Sequence, residues 1–300
     1  MCPCVHCLWR WEHGNGKGVS CLVNGYYWIA SYPKSGNTWI RLMLQSLAGG
    51  GRPIRFDRNE KVVPPGMSRT AFDDLLGIES SDLTLREIER LRPWMYAKEA
   101  AEATAPMFRK VHDAWVLTSA GDPLFPPELT LGSVYITRDP RDIAVSYAHY
   151  DGRSIDRAID LLADADAVVN SARLDIAGQL PQRLLSWHSH VNSWLDGGSP
   201  RILLVRYEDL LADPAEQLRR IVQHCDLPQE PEVLERTLAA TRFEVLQEEE
   251  SRHGFKEKPD SARRFFREGK AGIWRTALSS AQIARIERDH GATMDRLGYH

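Results

Sequence analysis

The sequence predicts a single α/β domain in which a central parallel sheet of about four or five strands carries helices on both faces. Three observations lead there. A short apolar run, a polar loop and a helix-spaced segment follow one another three times in the chain. The strand-like runs are nearly continuous in apolar residues, as expected of strands covered on both faces. Parallel strands joined this way need right-handed crossovers, and the intervals between the three units are long enough to supply them.

The first unit begins at Tyr26-Tyr27-Trp28-Ile29-Ala30-Ser31, read as a central strand. Pro33 disfavours helix at Tyr32, Lys34 to Thr38 form a tight polar loop, and Trp39, Leu42, Met43, Leu44 and Leu47 resume at helical spacing. Residues 51 to 80 are rich in Pro, Gly and Asp and read as loop. Phe108 to His112 is a shorter fourth strand. In the second unit Ser133 to Thr137 is the strand, Asp139-Pro140 the N-cap and first helical residue, and Ile143 to Tyr147 the helix. Helical stretches are expected over Ile155 to Ala177 and Arg183 to Leu195. The third unit runs from the strand Ile202 to Val205 to a helix capped by Asp213-Pro214 and carrying Leu218, Ile221 and Val222. From Leu246 to Lys270 the chain is highly charged and is expected to be mobile beside the core, before an amphipathic helix over Ile283 to Leu297.

Composition narrows the function classes. Of 300 residues, 43% are hydrophobic and 26% charged, which excludes a largely disordered or fibrous chain. Net charge is -3, so the global basic field of a nucleic-acid binder is missing and any anion must be held locally. No apolar run approaches the roughly 20 residues needed to cross a bilayer, and no signal-peptide pattern opens the chain, so the cytoplasm is the default location. Four of the five cysteines (Cys2, Cys4, Cys7, Cys21) crowd the first 21 residues. With only Cys225 elsewhere they form no disulfide framework, and with His6 their spacing matches no structural zinc pattern. Residues 1–25 read as a flexible leader and 26–300 as one domain, with no metal site.

The loop Tyr32-Pro33-Lys34-Ser35-Gly36-Asn37-Thr38-Trp39 carries the strongest chemical signal. It lies beyond the carboxyl end of a strand and at a helix N-terminus, where open α/β sheets bind ligands. Unpaired N–H groups, the Ser35 and Thr38 hydroxyls, the close approach allowed by Gly36 and the Lys34 ammonium suit a phosphate or phosphosulfate. It is not a Walker loop, because Lys34 precedes the glycine instead of following a glycine-rich run.

This loop closely resembles the 5′-phosphosulfate-binding loop of sulfotransferases that use 3′-phosphoadenosine 5′-phosphosulfate (PAPS). Tyr135-Ile136-Thr137-Arg138-Asp139-Pro140-Arg141-Asp142-Ile143-Ala144-Val145-Ser146-Tyr147 is similar to the family's 3′-phosphate segment, in which an Arg and a Ser eight residues later hold the phosphate; Arg138 and Ser146 stand there. Trp187 to Trp194, Arg206 to Leu210 and Thr241 to Val245 resemble further family segments, and Arg267-Glu268-Gly269-Lys270-Ala271-Gly272-Ile273-Trp274-Arg275 its late RKGxxGxWK motif. The resemblance implies a three-layer P-loop-like fold and sulfuryl transfer from PAPS to a hydroxyl or amine of a small-molecule acceptor, without metal. It assigns Lys34, Ser35, Gly36, Asn37, Thr38, Trp39, Arg138, Ser146, Tyr207, Phe243, Arg267 and Gly269 to the nucleotide, with Trp39 and Phe243 on either side of adenine and Tyr207 at its edge. His112, in a segment like the family's Lys-x-His strand end, becomes the general base, with Lys34 and Lys110 assisting.

Glu268 and Ile273 depart from the family's Lys and Asp, and the family's C-terminal dimerisation run is missing from Arg275 to Gln282, so the sequence leaves the oligomeric state open. Residues 51 to 107 and 148 to 180 are expected to line the acceptor pocket. Two rivals stand beside this reading. An ATP-dependent P-loop kinase lacks its Walker lysine position, and a non-catalytic nucleotide-binding module would have no use for Lys34 and His112.

Overall fold

The computed structural model describes residues 24–58, 63–170 and 178–300. The cysteine-rich start and the leader as far as residue 23 lie outside the described residues; Cys225 is a buried free thiol.

Strand β1 (Tyr26–Ser31) leads into helix α1 (Asn37–Ala48), and α2 (Arg69–Leu76) and α3 (Leu85–Glu102) precede β2 (Met107–Val111). Then come β3 (Thr130–Thr137), α4 (Pro140–Asp151), α5 (Ile155–Ala163) and a two-stranded ribbon of β4 (Val168–Val169) and β5 (Gln182–Arg183). The remainder is α6 (Trp187–Asp196), β6 (Ile202–Arg206), α7 (Tyr207–Ala212), α8 (Pro214–His224), α9 (Pro231–Ala240), α10 (Phe243–His253), α11 (Trp274–Ala277) and α12 (Ser280–Leu297).

The main sheet has four strands in the order β2-β1-β3-β6, all parallel. Every residue of β1 is buried, which explains its unbroken apolar run. Side chains alternate across the sheet. Tyr26, Trp28 and Ala30 enter one core with Tyr96 of α3, Ile143 of α4, Ile159 of α5, Trp194 of α6 and Met294 of α12. Tyr27 and Ile29 enter the other with Ile40 and Met43 of α1 and Leu218 and Val222 of α8. The three-layer arrangement follows from this period of two. Because β1 has β2 on one side and β3 on the other, a crevice opens at the carboxyl ends of these strands, where such sheets take ligands.

Four expectations need correction. Residues 51 to 80 contain α2, started by Ser68 Oγ accepting from Ala71 N and stopped by Gly77 at φ 68°. The helix expected to reach Ala177 ends at Ala163, because Asp164 Oδ1 accepts from Asp166 N and turns the chain into β4; residues 171 to 177 lie outside the described residues. The helix expected from Arg183 starts at Trp187, because Leu185 is left-handed (φ 60°) and Ser186 is the N-cap. The charged stretch 246 to 270 is built into the fold. Glu249 Oε1 accepts from Phe56 N (3.1 Å), Glu250 accepts from the amides of Phe265 (2.6 Å) and Phe266 (2.9 Å), and Phe56, Phe255, Phe265 and Phe266 share one aromatic cluster.

Candidate active site

A cavity of about 600 Å³ lies at the carboxyl edge of the sheet. Its floor is the loop between β1 and α1. Lys34 and Gly36 both take positive φ (71° and 99°), which turns the chain sharply enough for α1 to point its N-terminus at the cavity. Gly36 is the N-cap, with no side-chain cap and no acidic residue in the first turn, so the positive end of the helix dipole faces the cavity uncompensated. A Cβ on Gly36 would lie 2.6 Å from the Tyr207 ring. The glycine is therefore required twice, by its φ and by this contact.

The loop side chains divide their work. Asn37 Nδ2 donates to Ile29 O (2.9 Å) and its Oδ1 accepts from Arg41 Nε (3.0 Å), so the side chain ties α1 to β1. Thr38 lines the cavity while its Oγ1 accepts from Arg41 Nη2 (2.9 Å), and Arg41 is itself paired with Glu257. Ser35 lies behind the cavity surface, and its buried hydroxyl has no protein partner. An orphaned hydroxyl beside an open helix start fits a phosphoryl or sulfuryl oxygen. The Lys34 ammonium sits 3.8 Å over the Tyr150 ring and 4.8 Å from that of Phe265. Burial, with the nearby Arg138 charge, brings it down to about 7.

His112 follows β2 directly and shares the cavity wall with Lys110. Its Nδ1 lies 2.8 Å from Ser31 O. A carbonyl only accepts, so Nδ1 carries the proton and Nε2 keeps a bare lone pair. Burial and the Lys110 charge hold the ring well below the ordinary imidazole range, so it is neutral at pH 7. The backbone around it is clamped. Gln182 Oε1 accepts from His112 N (2.9 Å), and His190 Nε2 donates to His112 O (3.0 Å) while its Nδ1 accepts from Tyr135 OH (2.8 Å). Asp113 next door takes two bonds from Arg92 (2.9 and 2.8 Å), itself buried, and one from Arg183 N (2.9 Å).

Arg138 directly follows β3 and Ser146 lines the cavity from α4. The adjacent Asp139 is not the partner of Arg138: it caps α4 and grips Arg141 through Nε and Nη2. Arg138 instead pairs with Asp142 (3.8 Å), donates to Lys34 O (3.3 Å) and Lys270 O (3.0 Å) and stacks on Tyr207 (4.4 Å), with Nε buried and unpartnered. Asp142 fastens the late motif by accepting from Gly272 N (2.7 Å) and Trp274 N (3.0 Å). Within that motif Arg267 pairs with Glu268 (3.2 Å), and Gly269 at φ 59° approaches Phe243 so closely that a Cβ would lie 2.5 Å from the ring. Ile273, where the family pattern has Asp, lines the cavity and packs on the main core. Trp39 Nε1 donates to Thr241 O (2.8 Å), fixing its ring edge-on to Tyr207.

All the residues singled out in the sequence except Ser35 line this one cavity. Tyr150 and Gln179, which also line it, fall in the segment 148 to 180 expected at the acceptor pocket, whereas sequence reasoning gave no site role to Tyr147, Gln182 and Phe265. Aromatic residues late in α4 at i and i+3, Tyr147 and Tyr150, are a signal that points to a shared face.

The sulfotransferase domain model matches residues 25–298. The chain belongs to the sulfotransferase domain family. It is similar to sulfotransferase 1A1 of the dog, at 24% identity over 90% of this chain and 83% of that protein. Cytosolic sulfotransferase 17 of Arabidopsis thaliana is 24% identical over 87% of this chain and 72% of its own length. The fold is shared with retinol dehydratase solved with androsterone and the inactive cofactor PAP, at TM-score 0.57 and 20% identity over 90% of this chain and 80% of that one. Among the described residues of this sulfotransferase no helix is long and apolar enough to cross a membrane, and no three His, Cys, Asp or Glu side chains are grouped to hold a metal ion.

Proposed function

We propose that this sulfotransferase moves the sulfuryl group of PAPS to a small-molecule acceptor by in-line attack, and that it works in the cytoplasm like the relatives whose names carry that location. One observation carries the mechanism: a neutral imidazole with a bare Nε2 and a half-buried lysine line the same cavity as an uncapped helix N-terminus. The α1 N-terminus, Ser35 and Lys34 hold the 5′-phosphosulfate. Arg138 and Ser146 hold the 3′-phosphate, and Trp39, Tyr207 and Phe243 enclose the adenine. Gly269 admits the Phe243 ring, and Arg267 closes the phosphate end.

His112 Nε2 takes the acceptor proton as the acceptor oxygen bonds to sulfur. The sulfur–oxygen bond to the 5′-phosphate breaks, its electron pair stays on that phosphate, and Lys34, assisted by Lys110, stabilises the charge. Such a loose displacement depends on positioning and charge, which the clamped His112 backbone and the rigid loop provide.

Calorimetric titration tests the nucleotide. The expected result is tight binding of adenosine 3′,5′-bisphosphate (PAP) without metal and much weaker binding of AMP. Preference for Mg-ATP, or no binding of the bisphosphate, would remove this reading.

A further inference from the structure

Gln182 stands on the ribbon strand β5, opposite Val169, and both line the cavity with His112. Its side chain is 1% exposed, so its two polar atoms have fixed tasks. The backbone N–H of His112 only donates, and the carboxamide atom 2.9 Å from it is therefore the oxygen, Oε1. The orientation of the amide is thus set by the catalytic segment. Its Nε2 gives one proton to Gln179 Oε1 across a long 3.5 Å contact, which leaves a second N–H.

From this arrangement, and resting on the sulfuryl transfer proposed above, we propose that Gln182 makes the enzyme selective for oxygen acceptors over nitrogen acceptors, as a donor to the nucleophilic atom that His112 deprotonates. A hydroxyl oxygen has two lone pairs. One attacks sulfur while the other accepts from Gln182 Nε2, and its single proton goes to His112 Nε2. A neutral primary amine has one lone pair and two protons. When that lone pair attacks and one proton faces His112, the second N–H meets the Gln182 N–H, donor against donor. The amide cannot flip to offer its oxygen without leaving the buried His112 N–H unsatisfied. Discrimination by a fixed, buried polar group of this kind is strong, because the wrong substrate leaves it unpaired. In the balanced step the acceptor O–H bond breaks, an O–S bond forms, the S–O bond to the 5′-phosphate breaks, and the products are a sulfate ester and PAP.

The test uses the full chain with PAPS and matched acceptor pairs: 2-naphthol with 2-naphthylamine, benzyl alcohol with benzylamine, and cyclohexanol with cyclohexylamine. Wild type is expected to sulfate the oxygen member of an accepted pair at least tenfold better in kcat/KM, after correction for protonation of the amine. Gln182→Glu keeps an oxygen for His112 N–H and removes the donor. Its oxygen-to-nitrogen ratio should fall at least tenfold, chiefly through kcat on the alcohol or phenol, while PAP affinity stays near wild type. Gln182→Met, which removes both atoms, should lower both activities and the ratio together. Equal use of both members by wild type, or an unchanged ratio in Gln182→Glu, would overturn the inference while leaving sulfuryl transfer intact. No sulfated product from any pair, with PAP bound, would instead reject the transferase reading on which it rests.

Discussion

The end of the cavity we propose for the nucleotide and the end we propose for the acceptor are built differently. At the nucleotide end the chemistry comes from contiguous segments at strand ends, Lys34 to Trp39 after β1 and Arg138 to Ser146 after β3, and two glycines admit two rings at contact distance. At the acceptor end Tyr150, Val169, Gln182 and Phe265 come from α4, both strands of the ribbon and the segment after α10. The first is fixed by local backbone geometry. The second exists only once distant pieces have packed, and two of those pieces, Tyr150 and Phe265, meet the anion site at the Lys34 ammonium (3.8 and 4.8 Å).

That contrast is broken most sharply at the residue where the two ends meet. His112→Ala is expected to lower kcat by about 10²–10⁴-fold, with PAP titration unchanged. A matching loss of PAP affinity would move His112 to the nucleotide end. Next in size are the glycines: Gly269→Ala and Gly36→Ala drive a Cβ to 2.5 and 2.6 Å from Phe243 and Tyr207. Overpacking of this kind costs about 1–3 kcal/mol, so calorimetry should show PAP affinity reduced roughly 5- to 150-fold while acceptor KM is unchanged. Replacing Arg138 with Gln and Ser146 with Ala together should erase the preference for PAP over AMP. Retained preference would place the 3′-phosphate elsewhere.

The smallest effect is a pH limb. Lys34 is brought to about 7 by burial and Arg138, so its charged form prevails below that value and is lost as pH rises through it. Because kcat/KM reports the free enzyme, kcat/KM for PAPS should fall on the alkaline side of about 7, whereas kcat, with an anion beside the ammonium, should hold to higher pH. His112, held low by burial, places the acid limb below the ordinary imidazole range. Lys34→Arg should flatten the alkaline limb in a pH–rate profile.

The sheet and the anion loop were legible because their signals are local. A strand buried on both faces reads as an apolar run, Pro33 and Gly36 mark the turn, and Asp139-Pro140 and Asp213-Pro214 announce helix starts that the structure has. Where a rule is local but weak, boundaries slipped: Leu185 adopts a left-handed conformation that a leucine does not advertise. The charged stretch misled for a different reason. Glu249 and Glu250 lie in a stretch expected to be mobile, yet each is buried with backbone N–H donors from residues far away in sequence. Long-range pairing also hid the site's finer roles. Asn37, which lines the cavity, also ties α1 to β1, and Gln182 looks like an ordinary polar residue until its contact with His112 N is seen.

Those buried carboxylates have a further consequence for turnover. The stretch from Gly254 to Ile273 covers one flank of the cavity and is fastened twice in its second half, by Glu250 to the amides of Phe265 and Phe266 and by Asp142 to those of Gly272 and Trp274. It behaves as a strap with two buckles, each buckle a single carboxylate holding two amides. If spent nucleotide leaves on that flank by loosening them, hydrogen exchange at those four amides is expected to quicken with turnover, and each can be followed one by one.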